Sequence, residues 1–336
     1  MSARIRGAAG APRALSWSRT VPRELVHRVS VAEVLLTDVL RIDEVHFLAA
    51  ACWPRSHPTF PADGTAMHHP LMVAETLRQL GIFIPLRYFG VSADARLLIT
   101  DLFLAAEPGA QPRVRHGATE VTCRVRITRL RTDQAGAAVG LRLHVEFSAG
   151  GVAFARAGGG ARFLSPGRYA ALRGPLAGAR RPGAPGGLFR PDPVTLGVNH
   201  PRDVVIGLAG TQERAGPDGR DGGHGRDGRG AQDGCERRDV VVDVADPRHP
   251  FFFDHATDHV PGMVLLEAAR QAAALASGGV LLRMTGARLT ALRFTEFTPA
   301  ARVICVPHHR TCVFRFDQDG ERRAFGVLRY HSLSRV

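Results

Sequence analysis

The 336-residue chain contains no lysine, so all 44 of its Lys/Arg positions are arginine. Without an ammonium group it cannot form a Schiff base, anchor pyridoxal phosphate or complete a Walker-type phosphate loop. Aromatic residues with a polar handle are almost missing, at 2 Trp and 3 Tyr. The formal charge of +13 would ordinarily suggest nucleic acid, but stacking platforms are scarce here. The arginines are scattered and cluster only as pairs such as Arg180-Arg181, Arg237-Arg238 and Arg322-Arg323. Nucleic acid is therefore not an expected partner, and an acidic protein or a phosphorylated substrate accounts for the charge equally well. The 5 cysteines are odd in number and include no Cys-x-x-Cys pair, which excludes a disulfide framework. No apolar run reaches the roughly 18 residues of a membrane span, so no membrane association is expected. Residues 1–21 lack an apolar signal core and are expected to be a disordered tail on a cytoplasmic protein. No Gly-x-Ser-x-Gly elbow supports serine-hydrolase chemistry.

Long strand patterns around two helices fill the chain. Val34 to Ile42 and Val45 to Trp53 read as strands joined at Asp43-Glu44. Pro70 opens an apolar helical run towards Tyr88, a position where its missing N–H costs nothing. Strands are expected at Arg96–Ala105, Glu120–Arg131, Val139–Phe147 and Val152–Arg156. Residues 166–193, rich in Pro, Gly and Arg, read as a linker. The pattern then begins again, with strands at Asp203–Leu208 and Asp239–Val244 and a helix at Gly262–Ser277. Further strands follow at Arg288–Phe297, Arg302–Val306, Thr311–Phe316 and Ala324–Tyr330. Residues 211–234 are a Gly/Asp/Arg low-complexity insertion, expected to be disordered. The expectation is an α+β chain of two units, residues 22–165 and 194–336. Each has one long helix against an antiparallel sheet.

The two helices carry the same motif. Glu75-x-x-Arg78-Gln79 recurs as Glu267-x-x-Arg270-Gln271, 192 residues later, and each copy follows a His-bearing loop. A charge inside an apolar helix is costly unless paired. An i,i+3 Glu–Arg pair is one reading of each copy; recurrence points to a polar site at each helix start. The loop from His249 to Gly262 sharpens this. His255 facing a Glu is an acid–base pair able to move a proton at neutral pH. The Gly262 N–H, after Pro261, lies at the positive end of a helix dipole, where a thioester carbonyl can be polarised. Carboxylate, imidazole and amide together describe acyl-thioester chemistry. Asp254, His255, Asp258 and His259 are an alternative metal set without a second ligand cluster. Cys305-x-x-His308-His309-x-x-Cys312 has zinc ligand types where a hairpin turn belongs. No metal or other cofactor is expected.

Phe251-Phe252-x-x-His255, Pro261-Gly262 and Glu267-Ala268-x-x-Gln271 resemble the active-site segment of hot-dog β-hydroxyacyl-carrier-protein dehydratases. Two residues are missing between the His and the Pro-Gly. The resemblance is closer to the A-factor (γ-butyrolactone autoinducer) biosynthesis hot-dog family. It is carried by Val26-His27-Arg28, Trp53-Pro54-Arg55-x-His57, Pro70-Leu71-x-x-Ala74-Glu75-Thr76-x-Arg78-Gln79 and His249 through Gln271. It spans roughly residues 22 to 330.

That resemblance implies a tandem hot-dog fold, each unit a long central helix wrapped by an antiparallel sheet. It also implies an acyltransferase joining a β-ketoacyl chain from acyl carrier protein to a hydroxyl of dihydroxyacetone phosphate. Carried over by position, Glu267, His255 and Glu75 would be catalytic. Arg270, Arg78, Gln271, Gln79 and Gly262 would bind substrate. The first unit has His69-Pro70 where the second has Pro261-Gly262, which makes His57 and His68 secondary candidates. A dehydratase or thioesterase on carrier-protein thioesters, and a non-catalytic acyl-binding protein, are the competing classes. A homo-oligomer is left open.

Overall fold

The computed structural model describes residues 13–55, 57, 59, 67–174, 188–210, 239–244 and 246–331. Residues 1–12 of the expected tail, 175–187 of the expected linker and the whole 211–234 insertion lie outside the described residues.

Among the described residues, twelve strands form one antiparallel sheet. The first six are β1 (Leu36–Arg41), β2 (His46–Trp53), β3 (Arg96–Ala106), β4 (Thr119–Thr132), β5 (Ala138–Ala149) and β6 (Val152–Leu164). The second six are β7 (Ile206–Ala209), β8 (Asp239–Val242), β9 (Met284–Ala291), β10 (Arg302–His308), β11 (Thr311–Gln318) and β12 (Glu321–Tyr330). Their order is β1-β2-β4-β5-β6-β3-β9-β12-β11-β10-β8-β7. Read outward from the β3–β9 seam, both halves run in the same order. The seam pairs Leu102 with Leu289 and Leu104 with Ala287.

Alternation sets which face is buried. On β5, Leu141, Leu143, Val145 and Phe147 point into the core. Two helices cover that face: α1 (Leu71–Tyr88) in the first half and α3 (Gly262–Ala276) in the second. Both are buried over most of their length, so any polar residue on them must find its partners inside the protein. No helix among the described residues is long and apolar enough to cross a membrane.

Three elements depart from expectation. The run expected as linker opens with a helix, α2 (Pro166–Arg173), with Pro166 in its first turn and the Ser165 hydroxyl accepting from the Arg168 N–H. β6 continues past Arg156 to Leu164, straight through Gly158-Gly159-Gly160. A Cβ on Gly158 would come within 2.5 Å of the Leu143 carbonyl oxygen and 2.7 Å of the Phe103 ring. Glycine here permits close approach inside the sheet. β9 spans Met284–Ala291, not Arg288–Phe297. Thr295 and Glu296 instead bond the loop before α3 and Gln318: the Thr295 carbonyl accepts from Val260, and Glu296 N–H donates to Gln318.

Candidate functional site: two buried Glu-Arg-Gln clusters

On α1, Glu75 is fully buried. One of its carboxylate oxygens accepts from Arg28 Nε at 3.2 Å, Arg78 Nη2 at 3.0 Å and Gln79 Nε2 at 2.7 Å, with Arg28 Nη2 also paired to it at 2.9 Å. The other accepts from Arg78 Nε at 2.9 Å. Gln79 ties the helix to the strand entering the sheet, accepting from the Leu35 and Leu36 amides and donating to the Glu33 carbonyl. Burial opposes ionisation of Glu75, but the Arg28 and Arg78 charges outweigh it and hold the carboxyl down to about 2.

The α3 cluster repeats this arrangement. Glu267 accepts from Arg270 Nε at 2.9 Å, Arg270 Nη2 at 2.5 Å and Gln271 Nε2 at 2.7 Å. Gln271 accepts from the Val205 amide and donates to the Asp203 carbonyl. Burial again opposes ionisation, and the Arg270 charge again lowers the Glu267 pKa. Beside each cluster stands a buried His–carboxylate contact: His57 Nε2 lies 3.1 Å from Glu33, and His249 Nε2 lies 2.9 Å from Asp203. Of the secondary candidates, His57 thus belongs to a structural contact. His68 is held against Thr119 at 2.7 Å, and burial pushes its pKa down to about 4.

The loops before the helices cross between halves. His255, expected beside Glu267, acts instead on the first-half cluster. Burial first, then the Arg78 and Arg28 charges, lower its pKa, while Asp254 and Glu75 oppose them. The charge felt by Glu267 from a histidine comes from His69, on the first-half loop. The second-half loop also reaches over physically. Arg28 Nη1 donates to the Phe251 carbonyl at 2.8 Å with its guanidinium 4.6 Å from the Phe251 ring. Asp254 accepts from the Val29 and Ser30 amides at 2.6 and 3.0 Å. His255 itself is exposed at the lip of this cluster. Gly262 begins α3 with its Cα facing Ile99 of β3, where a Cβ would sit 3.6 Å from that side chain.

Arg28 and His27 belong to the Val26-His27-Arg28 motif, whose spacing alone implies no role for them. Their place follows from a second internal spacing. Val26-His27-Arg28 aligns with Leu196-Gly197-Val198, 170 residues on, and Glu33 and Leu35 align with Asp203 and Val205. The Val26 carbonyl accepts from Arg78 as the Leu196 carbonyl does from Arg270. His27 has φ 49° and Gly197 has φ 64°. So the halves share one frame, and its polar departures are His27 and Arg28 against Gly197 and Val198.

A third polar group fixes the crossing loop. Arg173, at the end of α2, donates to Glu296 at 2.6 and 2.9 Å, to the Asp258 carboxylate at 3.0 Å and to the Asp258 carbonyl at 2.9 Å. Tyr169 donates to Asp258 at 2.6 Å, and His259 Nδ1 lies 2.8 Å from the same oxygen. Burial opposes ionisation of Asp258, but these bonds and the charges of His259 and Arg173 keep it well below the usual range. Asp254 and Asp258 are thus both spent on protein partners. The Cys305 thiol faces the Ala269 carbonyl of α3 and Cys312 is buried, while His308 and His309 stand exposed at the β10–β11 hairpin tip.

The model of the A-factor biosynthesis hotdog domain matches residues 11–165 and 231–318. A 2-oxo-3-(phosphooxy)propyl 3-oxoalkanoate synthase of Streptomyces virginiae is 36% identical over 258 residues, covering 76% of this chain and 76% of that protein. The synthase of the same name from Streptomyces griseus is 30% identical over 292 residues, covering 82% of this chain and 81% of that one. Among solved structures, an acyl-ACP thioesterase from Bacteroides thetaiotaomicron is a distant likeness, at 9% identity and a TM-score of 0.46, covering 84% of this chain and 98% of that one. The chain belongs to the A-factor biosynthesis hotdog family.

Proposed function

We propose that this chain is a cytoplasmic acyltransferase of signal biosynthesis. It moves a 3-oxoacyl group from an acyl-carrier-protein thioester onto a hydroxyl of dihydroxyacetone phosphate, giving a 2-oxo-3-(phosphooxy)propyl 3-oxoalkanoate. The observation that carries this is the 36% identity over 258 residues to the synthase that bears the product's name. We read the architecture as two hot-dog units in tandem, residues 22–165 and 194–336. The common strand order outward from the β3–β9 seam supports that reading, as does the repeated helix motif.

The reacting end is assigned to the first-half cluster and the loop that crosses to it. Glu75, held by two guanidiniums at a pKa of about 2, is too weak a base to take a hydroxyl proton. Its work is to hold Arg28, Arg78 and Gln79 in place. His255 is uncharged at neutral pH, exposed and beside this cluster, so its imidazole takes the proton of the acceptor hydroxyl. The oxygen attacks the thioester carbonyl carbon, polarised by the Gly262 N–H at the start of α3. The tetrahedral adduct then breaks its C–S bond. The carrier thiolate leaves and recovers the proton from the His255 imidazolium.

The test is to incubate the protein with a 3-oxoacyl-carrier-protein thioester and dihydroxyacetone phosphate and analyse the products by mass spectrometry. A phosphorylated ester is expected, with one free carrier thiol per ester. Free 3-oxo acid without ester would identify a thioesterase instead, and no consumption of thioester would identify an acyl-binding protein.

A further inference from the structure

The two clusters differ most at the outer edge of their arginines. Arg270 spends all three guanidinium nitrogens, on Glu267 and the Leu196 carbonyl, and its side chain is 2% exposed. Arg78 uses Nε and Nη2 only; among the described residues its Nη1 makes no hydrogen bond, and the side chain is 12% exposed. Beside it stands His27, in the left-handed region that favours glycine, at the position where the other half has Gly197. His27 thus sits in a conformation that costs a side chain and that the other half fills with glycine. The His27 Nε2 is buried and has no hydrogen-bond partner among the described residues. Arg96, at the start of β3, also acts on the His27 ring. Two polar groups, the Arg78 edge and the His27 ring, thus stand where the second half has a closed arginine and a glycine.

We propose that the free edge of Arg78, with His27 beside it, receives the phosphate of the acceptor, and that the chain has one such site. The second-half cluster is scaffolding that positions β7 and the entry to the sheet. The identity of the acceptor rests on the acyltransferase reading; the anion site does not. Arg78 Nη1 offers an unused donor edge to a phosphate oxygen, a fit that guanidinium geometry favours. Burial, with the Arg78, His255 and Arg96 charges, pushes the His27 pKa down to about 4 in the empty site. A phosphate dianion would cancel that repulsion, so His27 takes up a proton as the anion binds and becomes a second donor. With the phosphate anchored there, the hydroxyl at the other end of the acceptor is presented to His255.

Calorimetric titration of the full chain with dihydroxyacetone phosphate, and separately with inorganic phosphate, tests this. Titrations at pH 7 in buffers of different ionisation heat report proton uptake. One equivalent per chain is expected for each ligand, with net proton uptake. His27→Gly supplies the residue of the second half, so the variant should melt at or above the wild-type temperature. It should bind both ligands about tenfold more weakly or worse, the loss of one charge-assisted hydrogen bond. His27→Asn, also tolerated in the left-handed region, is the second variant and should behave alike. Two equivalents per chain, no binding of either ligand, or variants that bind like wild type would overturn the site. If phosphate binds once and His27→Gly loses it but no ester forms with thioester, the acyltransferase reading fails and the anion site stands. If His27→Gly makes ester with an unchanged KM for dihydroxyacetone phosphate, the site fails and the acyltransferase reading stands.

Discussion

The clusters on α1 and α3 share a frame and differ in charge. In both, a glutamine reaches from the helix to the backbone of the strand entering the sheet, and a carboxylate one turn earlier holds an arginine. On α3 a single arginine faces the carboxylate: Glu267 and Arg270 pair with each other and are sealed in, with His69 acting on Glu267 from the first-half loop. On α1 a second arginine, Arg28, joins the same carboxylate, His27 replaces a glycine, and the loop carrying His255 arrives from the other half. The lesson is that a repeated motif marks what the fold needs. The departures from the repeat mark what the chemistry needs. Buried ion pairs are poor sources of net stability, so the second copy is best understood as a means of fixing geometry. The first has been adapted around that geometry.

Glu75→Gln breaks the comparison most severely. It leaves two buried guanidiniums without their shared counter-charge, where Glu267→Gln leaves one. Removing one partner of a buried pair costs about 3–5 kcal/mol, and Glu75→Gln should lie at the upper end with Glu267→Gln below it. Urea unfolding of both variants checks the order; equal losses would mean that Arg28 adds nothing. The same difference is visible in acid. The folded pKa of Glu75 is about 2, below its ordinary 4.5, so its contribution is complete above about pH 4.5 and lost as pH falls towards 2. That contribution is about 3 kcal/mol. The wild-type stability should therefore drop over this window, and the Glu75→Gln profile should be flatter there.

His255→Ala separates the halves by activity. Loss of a general base costs about 10²- to 10⁴-fold in turnover, and an exposed side chain should leave the melting temperature almost unchanged. His69→Ala, its counterpart facing Glu267, should keep near-wild-type turnover. Turnover assays that show equal losses would place chemistry in both halves. Arg28→Val then converts the first cluster towards the second, since Val198 stands at the equivalent position. Glu75 keeps Arg78, so the loss should be about 2 kcal/mol, from the bonds to Glu75 and the Phe251 carbonyl. Chemical denaturation measures it; a loss as large as that of Glu75→Gln would show that Arg28, not Arg78, holds the carboxylate.

The sequence revealed the helices because both are apolar on nearly every face and interrupted by the same three polar residues. It revealed the Glu–Arg contacts because i,i+3 spacing on a helix forces them. It misplaced His255, because which half a loop visits depends on tertiary packing, and local order favoured Glu267. Arg28 and His27 had no local signal, since their roles emerge only beside Val198 and Gly197, at a spacing of 170 where the helix motif has 192. The long connection between β7 and β8, which includes residues 211–238, more than accounts for that mismatch in spacing. The end of β6 was lost for a related reason. Three consecutive glycines look like a break, although in this sheet they admit Phe103 and the Asp101 carbonyl. α2 was hidden by its composition: eight residues opened by Pro166-Gly167 carry too little periodicity to stand out from a linker.

α2 also supplies the smallest of the expected effects. Arg173 and Tyr169 hold Asp258, three residues after His255, and nothing equivalent is described before α1. The loop that crosses to the working cluster is therefore fastened at both ends, by Asp254 on the Val29 and Ser30 amides and by Asp258 on α2. Tyr169→Phe removes one hydroxyl donor and leaves Asp258 its bonds to Arg173 and His259, so global stability should fall by about 1 kcal/mol. Hydrogen exchange is the sensitive measurement. Amides of residues 255–260 should exchange faster while those of α1 stay protected, because the bond lost lies on the loop and not in the core. Faster exchange that leaves turnover intact would show that the Asp254 end alone aligns His255. A parallel fall in turnover would show that His255 needs both fastenings.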